Sequence, residues 1–267
     1  MNSGPSFQSE SQKDDITAIV SVKNRCDYRL VNALKSIRLQ DYDQKLIRIV
    51  VVDYESKKDL ILRYMKICKR FDAEYLRIEN TGIWCKGHAL NVAIKRAETK
   101  YILSTDVDMV FEGNYISKGI GELRKDPRQI LISKFWCSQK GDITGMVDVA
   151  KDYPMLKKAS KLVSSEFGDL NPGINMGLAR FYREIRGYDE SYKLWGFEDN
   201  DLVKRFGLLG LKVKDISGEA SFIHQWHPMF EGLEGHDHQK QRMKNLEYFR
   251  KNNSIKRNPE GWGKIPE

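Results

Sequence analysis

The chain has 267 residues, 40% hydrophobic and 31% charged, a balance that excludes fibrous and globally disordered classes and suits one large domain or two small ones. No run approaches the ~18 consecutive apolar residues of a membrane span, and the polar start Met1 to Asp15 lacks the apolar core of a signal peptide, so a cytoplasmic protein is expected. Forty-five Lys and Arg against 37 Asp and Glu give +8, which favours anionic company such as nucleotides, acidic glycans, nucleic acid or lipid head groups and is equally what solubility alone selects.

Ile16 to Val22 is a short, β-branched apolar run, and Leu30, Leu34 and Ile37 follow at helical spacing. The pair repeats. Ile47 to Val52 reads as a buried strand, Leu60, Tyr64, Cys68 and Phe71 mark a helix, and Tyr75 to Ile78 is a third strand. Ala89, Ala93 and Ala97 mark a helix leading into a fourth strand, Tyr101 to Thr105. Strands alternating with helices predict a parallel sheet covered on both faces, so the first 110 residues read as a nucleotide-binding half. Asp53 and Asp106 then leave the same sheet edge, where a carboxylate either accepts hydrogen bonds from a base or ribose or caps the next helix. The four cysteines, Cys26, Cys68, Cys85 and Cys137, lack metal-type spacing and read as reduced, structural thiols.

Beyond residue 110 the regularity weakens. Cys137 to Pro172, with Gly141, Gly145, Pro154 and Gly168, reads as a long, partly mobile excursion. Asn171, Pro172, Gly173, Asn175 and Gly177 read as turns whose glycines let backbone approach a ligand. Arg180 to Ile185 is a short helix stopped by Gly187, and Leu202, Val203, Phe206 and Leu209 form a helical stripe ended by Gly210. In the tail, Lys240 to Lys251 is a basic, helix-compatible stretch expected to pack on the main domain.

Three clusters carry chemistry. Asp106, Val107 and Asp108 close the fourth strand with two carboxylates suited to a hard divalent cation that keeps waters and recruits phosphate oxygens; the bland alternative is a solvated loop. Trp195 and Gly196 precede Glu198, Asp199 and Asp201 in a helix's first turn. There an aromatic can stack on a sugar, and the macrodipole should keep the acids ionised near neutral pH. His224 and His227 lie on a strand-like run within Ala220 to Pro228, where residues three apart face opposite ways, so one of the two, not both, is expected to join the aspartates.

In this order the clusters resemble the metal-dependent GT-A glycosyltransferases, nearest to family 2 enzymes and to domains of the galactosyltransferase and chondroitin polymerase type, over roughly Asp15 to Pro228. The resemblance rests on Val22 to Arg25, Asp53, Gly82 to Asn91 with Lys86 and Gly87, Asp106 to Asp108, Gly187 to Glu190, Trp195 to Asp201, and His224. It implies an α/β fold in which a Rossmann-like nucleotide-binding half with a mixed sheet is fused to an acceptor-binding half. The implied boundaries are a disordered segment 1–14, one catalytic domain 15–230 divided near 110, and a basic extension 231–267. The implied donor is a uridine diphosphate sugar of galactose, N-acetylgalactosamine or glucose type, bound by Val22, Asn24, Arg25, Asp53, Lys86, Asn91, Asp106 and Val107. Mn²⁺ or Mg²⁺ is implied at Asp108 and His224, with Asp106 leaning toward the ribose or the ion's waters and His227 as substitute. Asp199 is implied as the base, and Glu198 as the acceptor's holder beside Trp195, Gly196 and Gly173. Phe197 stands where some relatives have Gly, which leaves the shape of the acceptor pocket open.

An aligned Asp199 would take the proton of an acceptor hydroxyl on a glycan or other molecule, and direct displacement would invert the anomeric centre. A retaining enzyme of the same fold is the alternative. A nucleotidyltransferase would announce a Gly-rich loop after the first strand, which Val22 to Asp27 lacks. A non-catalytic glycan- or nucleic-acid-binding module would account for the charge and for Trp84, Trp136, Trp195 and Trp226, but not for the carboxylates. No nucleic-acid partner is expected; a peripheral contact at the inner face of a membrane through the basic surface is.

Overall fold

The computed structural model describes residues 13–164, 170–229, 231 and 235–265; residues 1–12 of the expected disordered start, and Gly168, lie outside them. β1 (Ile16–Val22) is buried at every position, as a strand covered on both faces must be. Asp27 caps α1 (Tyr28–Arg38) by accepting from Arg29 N, and Lys35 and Arg38 complement the helix's C-terminal dipole. β2 (Ile47–Tyr54), α2 (Ile61–Arg70), β3 (Glu74–Ile78), α3 (Lys86–Arg96) and β4 (Tyr101–Asp106) complete the alternation. These four strands pair in parallel, as the alternation predicts, and their order is β3-β2-β1-β4, with Ser21 opposite Asp106 and Val22 opposite Asp53.

The second half holds more regular structure than its sequence announces. β5 (Met109–Phe111), α4 (Tyr115–Lys125), β6 (Gln129–Cys137), α5 (Val149–Ala159) and β7 (Lys161–Val163) precede β8 (Leu170–Leu178). They are followed by α6 (Ala179–Glu184), α7 (Glu198–Leu208), β9 (Lys212–Asp215), β10 (Phe222–His224) and α8 (His238–Lys251). The sheet continues as β4-β8-β6-β10-β5, with β7 and β9 also pairing β6.

Asn171 to Gly177, expected as turns, instead belong to β8, which runs antiparallel to both β4 and β6. Their turn-forming composition has a packing cause. A Cβ on Gly177 would stand 2.9 Å from Ile130 Cδ1, so only glycine admits that neighbour. Asn175 is buried but bonds Tyr182 Oη, Tyr188 Oη and the Pro172 carbonyl. The β6–β8 register shifts between Ile132 and Ser133, beside Pro172, which has no N–H to donate. The expected excursion after Cys137 likewise contains α5 and β7.

Both ends of the described chain pack on this sheet. Asp14 takes Lys100 Nζ at 2.8 Å and Arg124 Nη2 at 2.6 Å. Leu246 of α8 clusters with Tyr192 and Phe197, and Trp262 joins the main core. Among the described residues no helix is long and apolar enough to cross a membrane.

Candidate active site

Because β6 and β10 run parallel to one another and β8 antiparallel to β4, the C-terminal ends of β1, β4, β6 and β10 and the start of β8 meet at one sheet edge. A cavity of about 980 Å³ opens there, lined by Val22, Arg25, Asp106, Val107, Gly173 and the first turn of α7, among others. Open α/β sheets place their ligands at this edge.

At one end lie Asp108, His224 and His227, whose ligand atoms all fall within 4.8 Å of one another. β5 and β10 form an antiparallel pair in which His224 faces Met109, and Gln225 N donates to Asp108 O at 2.9 Å, so the fold sets the first histidine beside the aspartate. The expectation that the two histidines face opposite ways fails because β10 ends at His224. Trp226 N donates to Ser138 Oγ and Gln225 is anchored by Asn32 and Arg29 O, which turns His227 back. Its Nε2 reaches 3.2 Å from His224 Nε2 and 3.1 Å from Asp108 Oδ2.

The hydrogen bonds around the rings define their lone pairs. His227 Nδ1 sits 2.7 Å from Pro228 O and His224 Nδ1 3.4 Å from Cys137 Sγ. Protons on both Nδ1 atoms leave both Nε2 atoms as acceptors facing the carboxylate. Asp108 is 1% exposed and its Oδ1 is buried without a hydrogen-bond partner. Burial would raise its carboxyl, but positive charge on His224, His227 and Arg25 lowers it, and with the imidazoles neutral Arg25 is the group that supplies that charge. Burial also lowers His224, keeping its imidazole neutral as a ligand must be. Two imidazoles and a carboxylate whose ligand atoms lie within 4.8 Å of one another are a donor set that would suit a borderline-hard divalent cation. Asp106 is not in this triad; its Oδ1 pairs with Lys86 Nζ at 2.8 Å.

Lys86 links the two ends of the site. Buried, it also contacts Asp199 Oδ2 at 3.1 Å. Burial alone would lower its ammonium, but Asp106, Asp199 and Glu198 raise it well above its ordinary value. The turn before α7 uses left-handed backbone at Leu194, Gly196 and Phe197. Phe197 pays roughly 1–2 kcal/mol for that conformation and is held there by stacking on Phe249 at 5.6 Å. This aims the first turn of α7 into the cavity. The expectation that the macrodipole keeps the acids ionised is overturned at Glu198, which burial lifts to about 8 with Asp199 adding to it; burial also raises Asp199, against the pull of Lys86. Asp199 Oδ1 is buried without a hydrogen-bond partner.

Other residues expected at the site lie elsewhere. Asp53 is fully buried, its carboxylate taken by Tyr75 Oη and Arg77 Nη1, each at 2.6 Å, and by Ser56 N. Asn24 accepts from Lys57 N, and Asn91 binds Tyr188 and Glu190; neither lines the cavity. Trp195 and Gly196 do, with Trp195 47% exposed at the mouth. Sequence reasoning missed Phe135 and Arg242 among the lining residues. Arg242 reaches over Trp195 and Phe197 at 5.6 and 5.1 Å, and the only sequence signal for that placement is the apolar trio Leu246, Tyr248 and Phe249 behind it.

A family model described as Glycosyl transferase family 2 matches residues 17–168, and one described as N-terminal domain of galactosyltransferase matches 164–228. No curated protein matches the chain by sequence. Among solved structures, S. aureus TarS 1–349 is 19% identical, covering 79% of this chain and 60% of that one, with TM-score 0.57. The same TarS segment in complex with UDP-GlcNAc is 16% identical, covering 88% and 65%, with TM-score 0.63. GalNAc-T7 with UDP, GalNAc and Mn²⁺ is 14% identical, covering 90% and 48%, with TM-score 0.65. The chain thus spans under two thirds of the length of each.

Proposed function

Because the chain belongs to glycosyl transferase family 2 and has the GT-A fold of its solved likenesses, we propose that it transfers a sugar from a uridine diphosphate sugar to a hydroxyl of a glycan acceptor. The observation that carries this reading is the cavity's two-ended chemistry: a cation-ligand triad at one end, Asp199 at the other, and Lys86 between them. The TarS and GalNAc-T7 complexes hold UDP-GlcNAc in one case and UDP with Mn²⁺ in the other, which supports the donor class.

Asp108, His224 and His227 would hold Mn²⁺ or Mg²⁺, which when bound supplies Lewis-acid stabilisation of the departing diphosphate. Lys86 adds positive charge beside Asp106 and orients Asp199 through Oδ2. Asp199, which lines the cavity, accepts the proton of the acceptor hydroxyl as it attacks, with inversion at the anomeric carbon. A base with a raised pKa is stronger once ionised. Trp195 offers a stacking face for the acceptor sugar, and Glu198, protonated up to about pH 8, can donate to an acceptor oxygen. Lys23, Arg25 and Val22 flank the donor side.

The test is nucleotide release from a panel of UDP sugars, with and without Mn²⁺, followed by the anomeric configuration of the product by NMR. Mn²⁺-dependent UDP release that Asp108→Ala abolishes is expected. Release insensitive to chelator, or no turnover with any UDP sugar, would refute the proposal.

A further inference from the structure

The Asp108–His227 edge of the triad is engaged by a cation that the chain itself supplies. Arg25 Nη1 lies 2.6 Å from Asp108 Oδ2 and 3.1 Å from His227 Nε2, and Nη2 donates to Glu231 O at 3.3 Å. With the Nδ1 proton of His227 directed at Pro228 O, Asp108 Oδ2 and His227 Nε2 are two acceptors 3.1 Å apart. Such a pair is unfavourable unless a positive donor bridges it. Nη1 does so.

We propose that Arg25 is the resident counter-ion of the triad, occupying the Asp108–His227 edge in the free enzyme, and that a divalent cation binds by displacing its guanidinium. The inference rests on the triad being the cation site. Two positive groups cannot share the same two lone pairs, so cation and guanidinium compete. A buried carboxylate stripped of a permanently charged partner is costly, which explains why a chain that keeps Asp108 1% exposed carries its own substitute cation.

The local backbone confines the exchange to the side chain. Asn24 sits in left-handed backbone at φ 57, its N bonded to Ser56 Oγ at 2.8 Å and its Oδ1 accepting from Lys57 N, so the main chain entering Arg25 is fixed. The Arg25 side chain is 16% exposed and borders the cavity, into which it can rotate. Two consequences follow. Cation affinity in the absence of nucleotide is lowered by the competing guanidinium. An anionic ligand in the cavity that receives the displaced guanidinium raises that affinity, so cation and nucleotide bind cooperatively.

The sign of one measurement separates this from a supporting role for Arg25. Mn²⁺ is titrated calorimetrically into the nucleotide-free full chain of wild type, Arg25→Gln, Arg25→Lys and Asp108→Asn. Displacement predicts that Arg25→Gln binds Mn²⁺ about tenfold tighter and that UDP tightens Mn²⁺ binding less in this variant than in wild type. Unchanged or weaker Mn²⁺ affinity in Arg25→Gln overturns the proposal. Arg25→Lys keeps the charge but loses the fork that spans Asp108 and His227, and covers the case in which the glutamine variant does not fold. Tighter binding than wild type supports the proposal, and equal or weaker binding overturns it. Mn²⁺ binding that Asp108→Asn leaves intact removes the metal reading and this inference with it. Binding that needs Asp108 but ignores Arg25 removes this inference alone.

Discussion

Replacing Lys86 with Met tests whether the base and the donor side of the cavity are electrostatically one unit. The substitution keeps most of the buried volume and deletes a charge 2.8 Å from Asp106 and 3.1 Å from Asp199. Charges 3 Å apart at an effective dielectric of ~20 interact by about 5 kcal/mol, and truncating one partner of a buried pair costs about 3–5 kcal/mol. Part of that loss is relieved when Asp199 takes up a proton. Burial and Asp106 already raise its pKa, and Lys86 is the group holding it down. Without Lys86 its pKa rises further, and uptake of the proton offsets part of the lost pairing. A raised folded-state carboxyl pKa means stability that is present at low pH and lost as pH rises, so the variant should be least stable, relative to wild type, above neutrality. The assays are urea unfolding and kcat measured from about pH 5 to 9. The acid limb of the rate profile should move to higher pH. A stability loss below ~1 kcal/mol with an unmoved limb would refute the coupling of Lys86 to the base.

Asp199→Asn should lower kcat by about 10²- to 10⁴-fold with donor affinity unchanged; retention of more than about a tenth of wild-type kcat would move the base role to another residue or to a retaining mechanism. Glu198, raised to about 8, contributes stability that is fully present below the ordinary value of 4.5 and is lost as pH rises through 8. Glu198→Gln should therefore flatten the decline in melting temperature across that window, and an unaltered decline would assign it to other groups. Asp201 is fully buried between Arg205 and Arg257, with Arg257 1% exposed. Arg257→Met should cost about 3–5 kcal/mol by urea denaturation, whereas a loss under ~1 kcal/mol would mean Arg205 and Tyr192 satisfy the carboxylate without it.

The sequence by itself determined the first half of this protein. Ile16 to Val22, Ile47 to Val52 and Tyr101 to Thr105 are largely apolar runs suited to burial on both faces, and with Tyr75 to Ile78 they make four strands whose helical connections favour right-handed parallel crossovers. That arrangement brings Asp106 and Asp108 to the sheet edge without further information. The first turn of α7 was equally legible, since Trp195, Gly196 and the acids stand directly before a helical stripe.

Only the tertiary structure decided the rest. β8 carries glycine, proline and asparagine because its neighbours in the sheet, Ile130 at Gly177 and the tyrosines at Asn175, need small or hydrogen-bonding partners, and local composition cannot report a neighbour far along the chain. His224 and His227 converge because Ser138 and Asn32 end a strand that periodicity would continue. Asp53 and Asp108 look alike as strand-end acids, yet one is spent on Arg77 and Tyr75 while the other faces two imidazoles. Which cation neutralises a buried carboxylate depends on what the fold places within ~4 Å of it, and so does whether Glu198 keeps its proton against the pull of a helix N-terminus.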